Sequence, residues 1–160
     1  MLSVVVPIYN VEPYLAQCLQ SIANQTLNSN SFEVIMVDDK STDASAEIAE
    51  EFTKKYSNFK LIKLDKNTPG GAGIPSNIGI NASNGRYIGF VDSDDYIEPT
   101  MFEDMLMAAL TEDSDICICD FRIFYEKEKK LVESNDQKVW IKFIKTVADK
   151  QSISTIKSQM

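Results

Sequence analysis

Histidine is absent from the 160-residue chain, which removes imidazole bases, imidazole metal ligands and Ser-His or Cys-His nucleophile pairs at once. Any metal site must then be built from oxygen. Arginine is nearly absent too, with only Arg86 and Arg122 present, so few side chains can clamp a phosphate bidentately. Three cysteines, Cys18, Cys117 and Cys119, form an odd set without zinc-type spacing, which fits a reducing, cytosolic compartment. The start of the chain carries no basic segment ahead of an apolar run, and no stretch is long enough to span a bilayer. The expected location is therefore the cytoplasm, with the inner face of the membrane as a place of peripheral attachment. Internal repeats and low-complexity segments are also missing.

What is present is an ordinary globular composition, 44% hydrophobic and 25% charged. Its 16 basic and 24 acidic side chains give a formal net charge of -8, so nucleic acid is not an expected partner and a small polyanion would need a cation to approach. The imbalance is local: residues 1–120 hold 7 basic and 19 acidic side chains, whereas residues 121–160 hold 9 and 5. The chain thus divides into an acidic part over 1–125 and a basic segment over 126–160.

Short β-branched runs alternate with amphipathic stretches, the pattern of βαβ units and a mainly parallel sheet flanked by helices. Strands are expected at about 3–8, 32–37, 59–64, 86–91 and 115–120, and helices at about 11–25, 42–56 (capped by Ser41 or Thr42), 70–84 and 99–111. Beyond a charged, turn-forming stretch, Val139, Trp140, Phe143, Ile144 and Val147 repeat at helical spacing between lysines. A final amphipathic helix is expected there, packing on this sheet, on a second domain or on an anionic membrane surface.

In an open parallel sheet, ligands bind beyond the carboxyl ends of the strands. The first strand runs out into Pro7-Ile8-Tyr9-Asn10, the second into Asp38-Asp39-Lys40-Ser41-Thr42-Asp43 and the fourth into Asp92-Ser93-Asp94-Asp95, so carboxylates crowd one edge. Such crowding normally exists because a cation or a ligand's donors meet it. Asp92 and Asp94, at alternate positions of an extended segment, would point the same way and suit magnesium or manganese bridged to phosphates. Ser41 and Asp43 read as turn formers and caps, while Asp39 reads as an acceptor for the imide N–H of a uracil ring. The bend Asn67-Thr68-Pro69-Gly70-Gly71-Ala72-Gly73 lacks the third glycine of a dinucleotide fingerprint and the Gly-Lys-Ser/Thr of a P-loop. Two roles stay open for it: a tight turn alone, or backbone N–H groups, with Asn77 behind them, approaching a diphosphate or ribose.

Taken together, Val4-Val5-Val6-Pro7-Ile8-Tyr9-Asn10, Val37 to Asp43 and Gly85 to Asp95 resemble the family 2 inverting glycosyltransferases of GT-A fold, in order and spacing over about residues 2–120. The stretch Asn67 to Asn77 is more distantly similar to wall-teichoic-acid and other bacterial cell-surface polysaccharide transferases. The resemblance implies a Rossmann-like GT-A core that binds a nucleotide-diphosphate sugar, by preference a UDP-sugar. It also implies transfer of the sugar with inversion to a saccharide or polyol-phosphate acceptor. Pro7, Tyr9 and Asp39 would hold the base, Asp92 the ribose or sugar, and Asp94 a manganese or magnesium ion on the diphosphate. Asn10, Asp38, Gly71, Asn77 and Ser93 would complete the nucleotide site.

Three departures from the family pattern stand out. Lys40 replaces a glycine in what looks like an exposed turn, and Ser76 stands where an arginine usually meets base or phosphate. The third is that no acid in this chain matches the catalytic base. The resemblance therefore implies that part of the acceptor-binding half is missing, with 126–160 as its beginning. The alternative to a complete transferase is a nucleotide-sugar-binding module that needs a further segment or partner.

Overall fold

The first strand, β1 (Leu2–Ile8), is buried along its whole length, as a hydrophobic run covered on both faces must be. It lies between β2 (Phe32–Asp38) and β4 (Tyr87–Phe90), with β3 (Phe59–Lys63) beyond β2, all four parallel. Helix α1 (Glu12–Ala23) connects β1 to β2, α2 (Ser45–Lys55) connects β2 to β3, and α3 (Gly73–Ala82) carries the chain back across β1 to β4. Helix α4 (Met101–Thr111) then leads to β5 (Ile116–Cys119). These follow the expected elements closely, because each strand is apolar between turn residues and each helix buries one stripe. The computed structural model describes residues 1–120, 122–125, 129–133 and 140–145.

The period of two along β1 builds two cores. Leu2, Val4, Val6 and Ile8 face Leu15, Cys18, Leu19 and Ile22 of α1 together with Phe102 and Met105 of α4. Val5 faces the other way and packs with Ile80 of α3 and with Ile88 and Phe90 of β4. The result is three layers, with α1, α2 and α4 on one face of the sheet and α3 on the other.

The C-terminal part departs from expectation. Trp140–Lys145, expected as a helix, is a strand, β8, lying antiparallel between β4 and β5. Spacings of three and four within a six-residue segment fit either period, and Trp, Ile and Phe favour the pleated surface where two open strand edges await a partner. Val139, Val147 and the rest of that expected helix lie outside the described residues. Before β8, β6 (Arg122–Tyr125) and β7 (Lys130–Glu133) form an antiparallel pair, and β8 joins the sheet of the preceding part.

At the amino end of the sheet, Glu33 is 6% exposed, opposite Ser3 in register. Its carboxylate accepts from Ser3 Oγ at 2.7 Å, Lys60 Nζ at 2.7 Å and the Asn84 backbone N–H at 2.8 Å. Burial pushes this carboxyl upward, and the donors from Lys60, Ser3 and Asn84 outweigh it, so its pKa lies below the ordinary value. The knot ties β1, β2, β3 and the turn before β4 together at the end of the sheet away from the acidic strand tips.

Candidate functional site

The order β3-β2-β1-β4 reverses direction at β1, so the sheet has its topological switch point between the carboxyl ends of β1 and β4. The two strands pair only from Leu2–Tyr87 to Val5–Phe90, after which Val91 N–H donates to the Val5 carbonyl at 3.2 Å and the chains part. Backbone groups two residues on point the same way, so Pro7 turns its missing N–H toward the side that β4 has left. A proline inside a central strand costs no ladder bond here, and it stands where the crevice opens.

That crevice is a cavity of about 410 Å³. It is lined by Pro7 and Ile8 at the end of β1 and Tyr9 just after it, by Asp39 after β2, by Asn67 to Ala72 and Pro75 around the start of α3, and by Asp92, Ser93 and Asp94 after β4. The structure thus brings together Pro7, Tyr9, Asp39, Gly71, Asp92, Ser93 and Asp94 from the expected set. Asn10, Asp38 and Asn77 do not line it.

Asn10 and Asp38 are occupied by the neighbouring turns. Asn10, in left-handed backbone at φ 50°, accepts from the Thr42 N–H at 2.8 Å and donates its own N–H to Ser41 Oγ at 3.1 Å. Asp38 is buried and accepts the Ser41 N–H at 3.3 Å. Together with Glu12, whose N–H reaches Asp43 at 3.0 Å, these bonds clip the loop after β1 to the loop after β2. The cap expected from Ser41 or Thr42 is not made. Ala44 is the N-cap of α2 without a side-chain bond, and Asp43 instead accepts the Ser45 N–H at 3.0 Å, because the turn runs two residues longer. Lys40 adopts φ 63°, so the position where the family usually has glycine does require left-handed backbone, and the lysine there carries strain.

Asp92 and Asp94 share the cavity, but not through strand alternation. Asp95 N–H donates to the Asp92 carbonyl at 3.0 Å, which makes 92–95 a turn and corrects the extended geometry expected from the spacing. Cys18 Sγ of α1 lies 3.5 Å from the same carbonyl, so the turn rests on the helix below it. Asp92 is half-buried and Asp94 exposed. Among the described residues no set of three or more His, Cys, Asp or Glu side chains is gathered as a metal cage. One or two carboxylates facing such a cavity are nevertheless the donor set with which magnesium or manganese is held when a diphosphate supplies further oxygens.

The bend before α3 uses two glycines in left-handed backbone, Gly70 at φ 90° and Gly71 at φ 71°, which L side chains adopt only with strain. It delivers the first turn of α3 to the cavity, and that turn has no side-chain cap and no acidic residue, leaving its positive end available to an anion. Ser76 is 0% exposed and turned away from the cavity, while Pro75 beside it lines the wall.

Sequence patterning alone missed what holds Asp39, which is 3% exposed. Its Oδ1 accepts the Thr68 N–H at 2.9 Å, and its Oδ2 accepts Thr68 Oγ at 2.9 Å and Asn67 Nδ2 at 3.2 Å. Asn67 Nδ2 also reaches the Asp39 carbonyl at 3.0 Å. The only signal in the sequence was an Asn-Thr pair ahead of a proline-glycine bend, which drew attention to the glycines.

Known proteins resemble this chain in sequence and in fold. A poly(ribitol-phosphate) beta-glucosyltransferase of Bacillus spizizenii is 48% identical over 96 residues, covering 60% of this chain and 15% of that protein. The Staphylococcus aureus poly(ribitol-phosphate) beta-N-acetylglucosaminyltransferase TarS is 39% identical over 116 residues, covering 72% of this chain and 20% of its own length. The crystal structure of TarS 1–349 in complex with UDP superposes with a TM-score of 0.68 over 72% of this chain and 33% of that one, at 39% identity. TarS 1–349 in complex with UDP-GlcNAc gives the same TM-score of 0.68 at 38% identity. The fold is therefore of the GT-A type, and the chain spans a third or less of these relatives. Among the described residues no helix is long and apolar enough to cross a membrane. The family model for glycosyl transferase family 2 matches residues 3–157, almost end to end, and this chain belongs to that family.

Proposed function

We propose that this chain binds the nucleotide-diphosphate sugar of an inverting glycosyl transfer, with UDP-sugar as donor and a saccharide or polyol-phosphate hydroxyl as acceptor, in bacterial cell-surface polysaccharide or teichoic-acid synthesis. One observation carries the proposal: a single cavity at the switch point is lined both by the buried carboxylate of Asp39 and by the Asp92–Asp94 turn. The relatives support the donor class, since TarS is seen with UDP and with UDP-GlcNAc.

In this assignment Tyr9 and Pro7 flank the base and Asp39 accepts its imide N–H. The first turn of α3, with Gly71, faces the diphosphate. Asp92, with Ser93 beside it, meets the ribose or the sugar, and Asp94 holds a manganese or magnesium ion. That ion, when bound, supplies charge neutralisation for the departing nucleoside diphosphate. The acceptor oxygen forms a bond to the anomeric carbon from the face opposite the diphosphate while the bond from that carbon to the diphosphate oxygen breaks. The acceptor hydroxyl gives up its proton to a base. The transition state is oxocarbenium-like.

Only Asp39, Asp92 and Asp94 among the cavity-lining residues are acidic, and all three have donor-side roles. This favours, as the second form of the proposal, a nucleotide-sugar-binding module whose turnover draws the base from a further segment or partner. Both forms require donor binding. Calorimetric titration of Asp39→Ala should show UDP affinity reduced roughly tenfold or more, with ADP and GDP changed little. Equal weakening of every nucleotide would remove Asp39 from base recognition.

A further inference from the structure

We infer that Thr68, with Asn67, is the positioning residue that sets base selectivity, by fixing the Asp39 carboxylate so that it has one acceptor position left to offer. The inference rests on the donor-site assignment above and deepens it. A carboxylate has about four lone-pair positions. Among the described residues three are taken: one on Oδ1 by the Thr68 N–H, and two on Oδ2 by Thr68 Oγ and Asn67 Nδ2.

Thr68 therefore grips both oxygens, and a carboxylate gripped at both oxygens cannot rotate about its terminal bond. The Asp39 N–H is itself bound to the Ile8 carbonyl at 2.8 Å, and Asn67 closes on the Asp39 carbonyl at 3.0 Å, so the main chain is fixed as well. The remaining position lies on Oδ1, the oxygen that receives only one bond, and the residue lines the cavity.

Two consequences follow from this geometry. A carboxylate with one open acceptor position takes one N–H, which suits the imide of uracil and repels the lone pair that cytosine presents at the same ring nitrogen. The carboxylate is also held before any ligand arrives, so little ordering is left for binding to supply. Since the same two residues begin the bend that carries Gly70 and Gly71 to the cavity, recognition of the base and placement of the diphosphate-facing turn are joined through one pair of side chains.

The test is calorimetric titration of the full chain with UDP, with CDP and with UDP methylated at the ring imide nitrogen, for the wild type, Thr68→Val and Thr68→Ser. Wild-type protein should prefer UDP over both other ligands. Thr68→Val keeps the backbone N–H bond and the shape but loses the hydroxyl. It should weaken UDP roughly fivefold or more, leave the methylated ligand and CDP nearly unchanged, and so collapse the preference. Thr68→Ser should restore it. Equal weakening of all three ligands in Thr68→Val would mean that the hydroxyl only holds the loop, and unchanged affinity would mean that it holds nothing; either result overturns the inference while the wild-type preference leaves the donor assignment standing. A wild type that binds UDP and its methylated form alike would overturn the donor-base assignment itself, and the inference with it.

Discussion

Replacement of Asp94 by alanine is expected to abolish the metal-dependent part of UDP binding while leaving the fold unchanged. The side chain is exposed at the edge of the cavity and makes no contact that the core depends on, so its removal costs little stability. Its proposed task is to place a cation between the turn after β4 and a diphosphate, in a protein whose donor half carries a net negative charge. Without the cation, the carboxylates of the Asp92–Asp94 turn would face the diphosphate directly. We expect manganese to raise the UDP affinity of the wild type by about tenfold or more, corresponding to about 1.4 kcal/mol or more, and to do nothing for the variant. Chelation with EDTA should bring the wild type down to the level of Asp94→Ala. A variant that still responds to manganese as the wild type does would remove Asp94 from cation binding and leave Asp92 as the side chain to test.

The second large effect lies at the opposite end of the sheet. Glu33→Ala is expected to lower unfolding stability by roughly 2–4 kcal/mol, because Ser3 Oγ and the Asn84 N–H lose their acceptor in a buried place and Lys60 loses its ion-pair partner. At this chain length that corresponds to a midpoint lowered by about 4–16 °C. Glu33→Gln separates charge from hydrogen bonding. The depressed pKa of Glu33 means that the carboxylate stabilises the folded state above its unfolded value of 4.5, and that this contribution is lost as pH falls through the lower folded value. The stability difference between pH 7 and pH 3 should therefore shrink in Glu33→Gln. Denaturant unfolding at both pH values checks this, and an undiminished difference would assign the acid sensitivity to other carboxylates.

Much of this architecture is legible without coordinates. Leu2 to Ile8 can only be a strand buried on both faces, and the acids that follow three such strands fall at one edge by topology alone. Individual roles along that edge are harder to read. Asp38 and Asp39 are adjacent and identical in type, yet one is spent on the Ser41 N–H and the other lines the cavity, a difference set by which way each side chain leaves the strand end. Asp92 and Asp94 meet in the cavity for a reason the spacing did not supply, a turn closed at Asp95 and not an extended run. The segment Trp140–Lys145 shows the limit of periodicity: six residues are compatible with either period, and the choice was made by the open edges of β4 and β5, partners that no local pattern reveals. Lys40 and Pro7 carry the opposite lesson. Each breaks a local rule, one by left-handed backbone and one by a missing donor in a central strand, and both sit beside the crevice where the sheet parts.

Whether the crevice between the ends of β1 and β4 is the donor site can be read from titration of isotopically labelled protein with UDP in the presence of magnesium, followed through the amide resonances. The perturbed amides should be those of Ile8 to Asn10, Asp39, Asn67, Thr68, Gly70 to Gly73 and Asp92 to Asp95, with the Glu33 end of the sheet silent. Perturbations centred on β5, on the β6–β7 hairpin or on the Glu33 end would contradict that assignment.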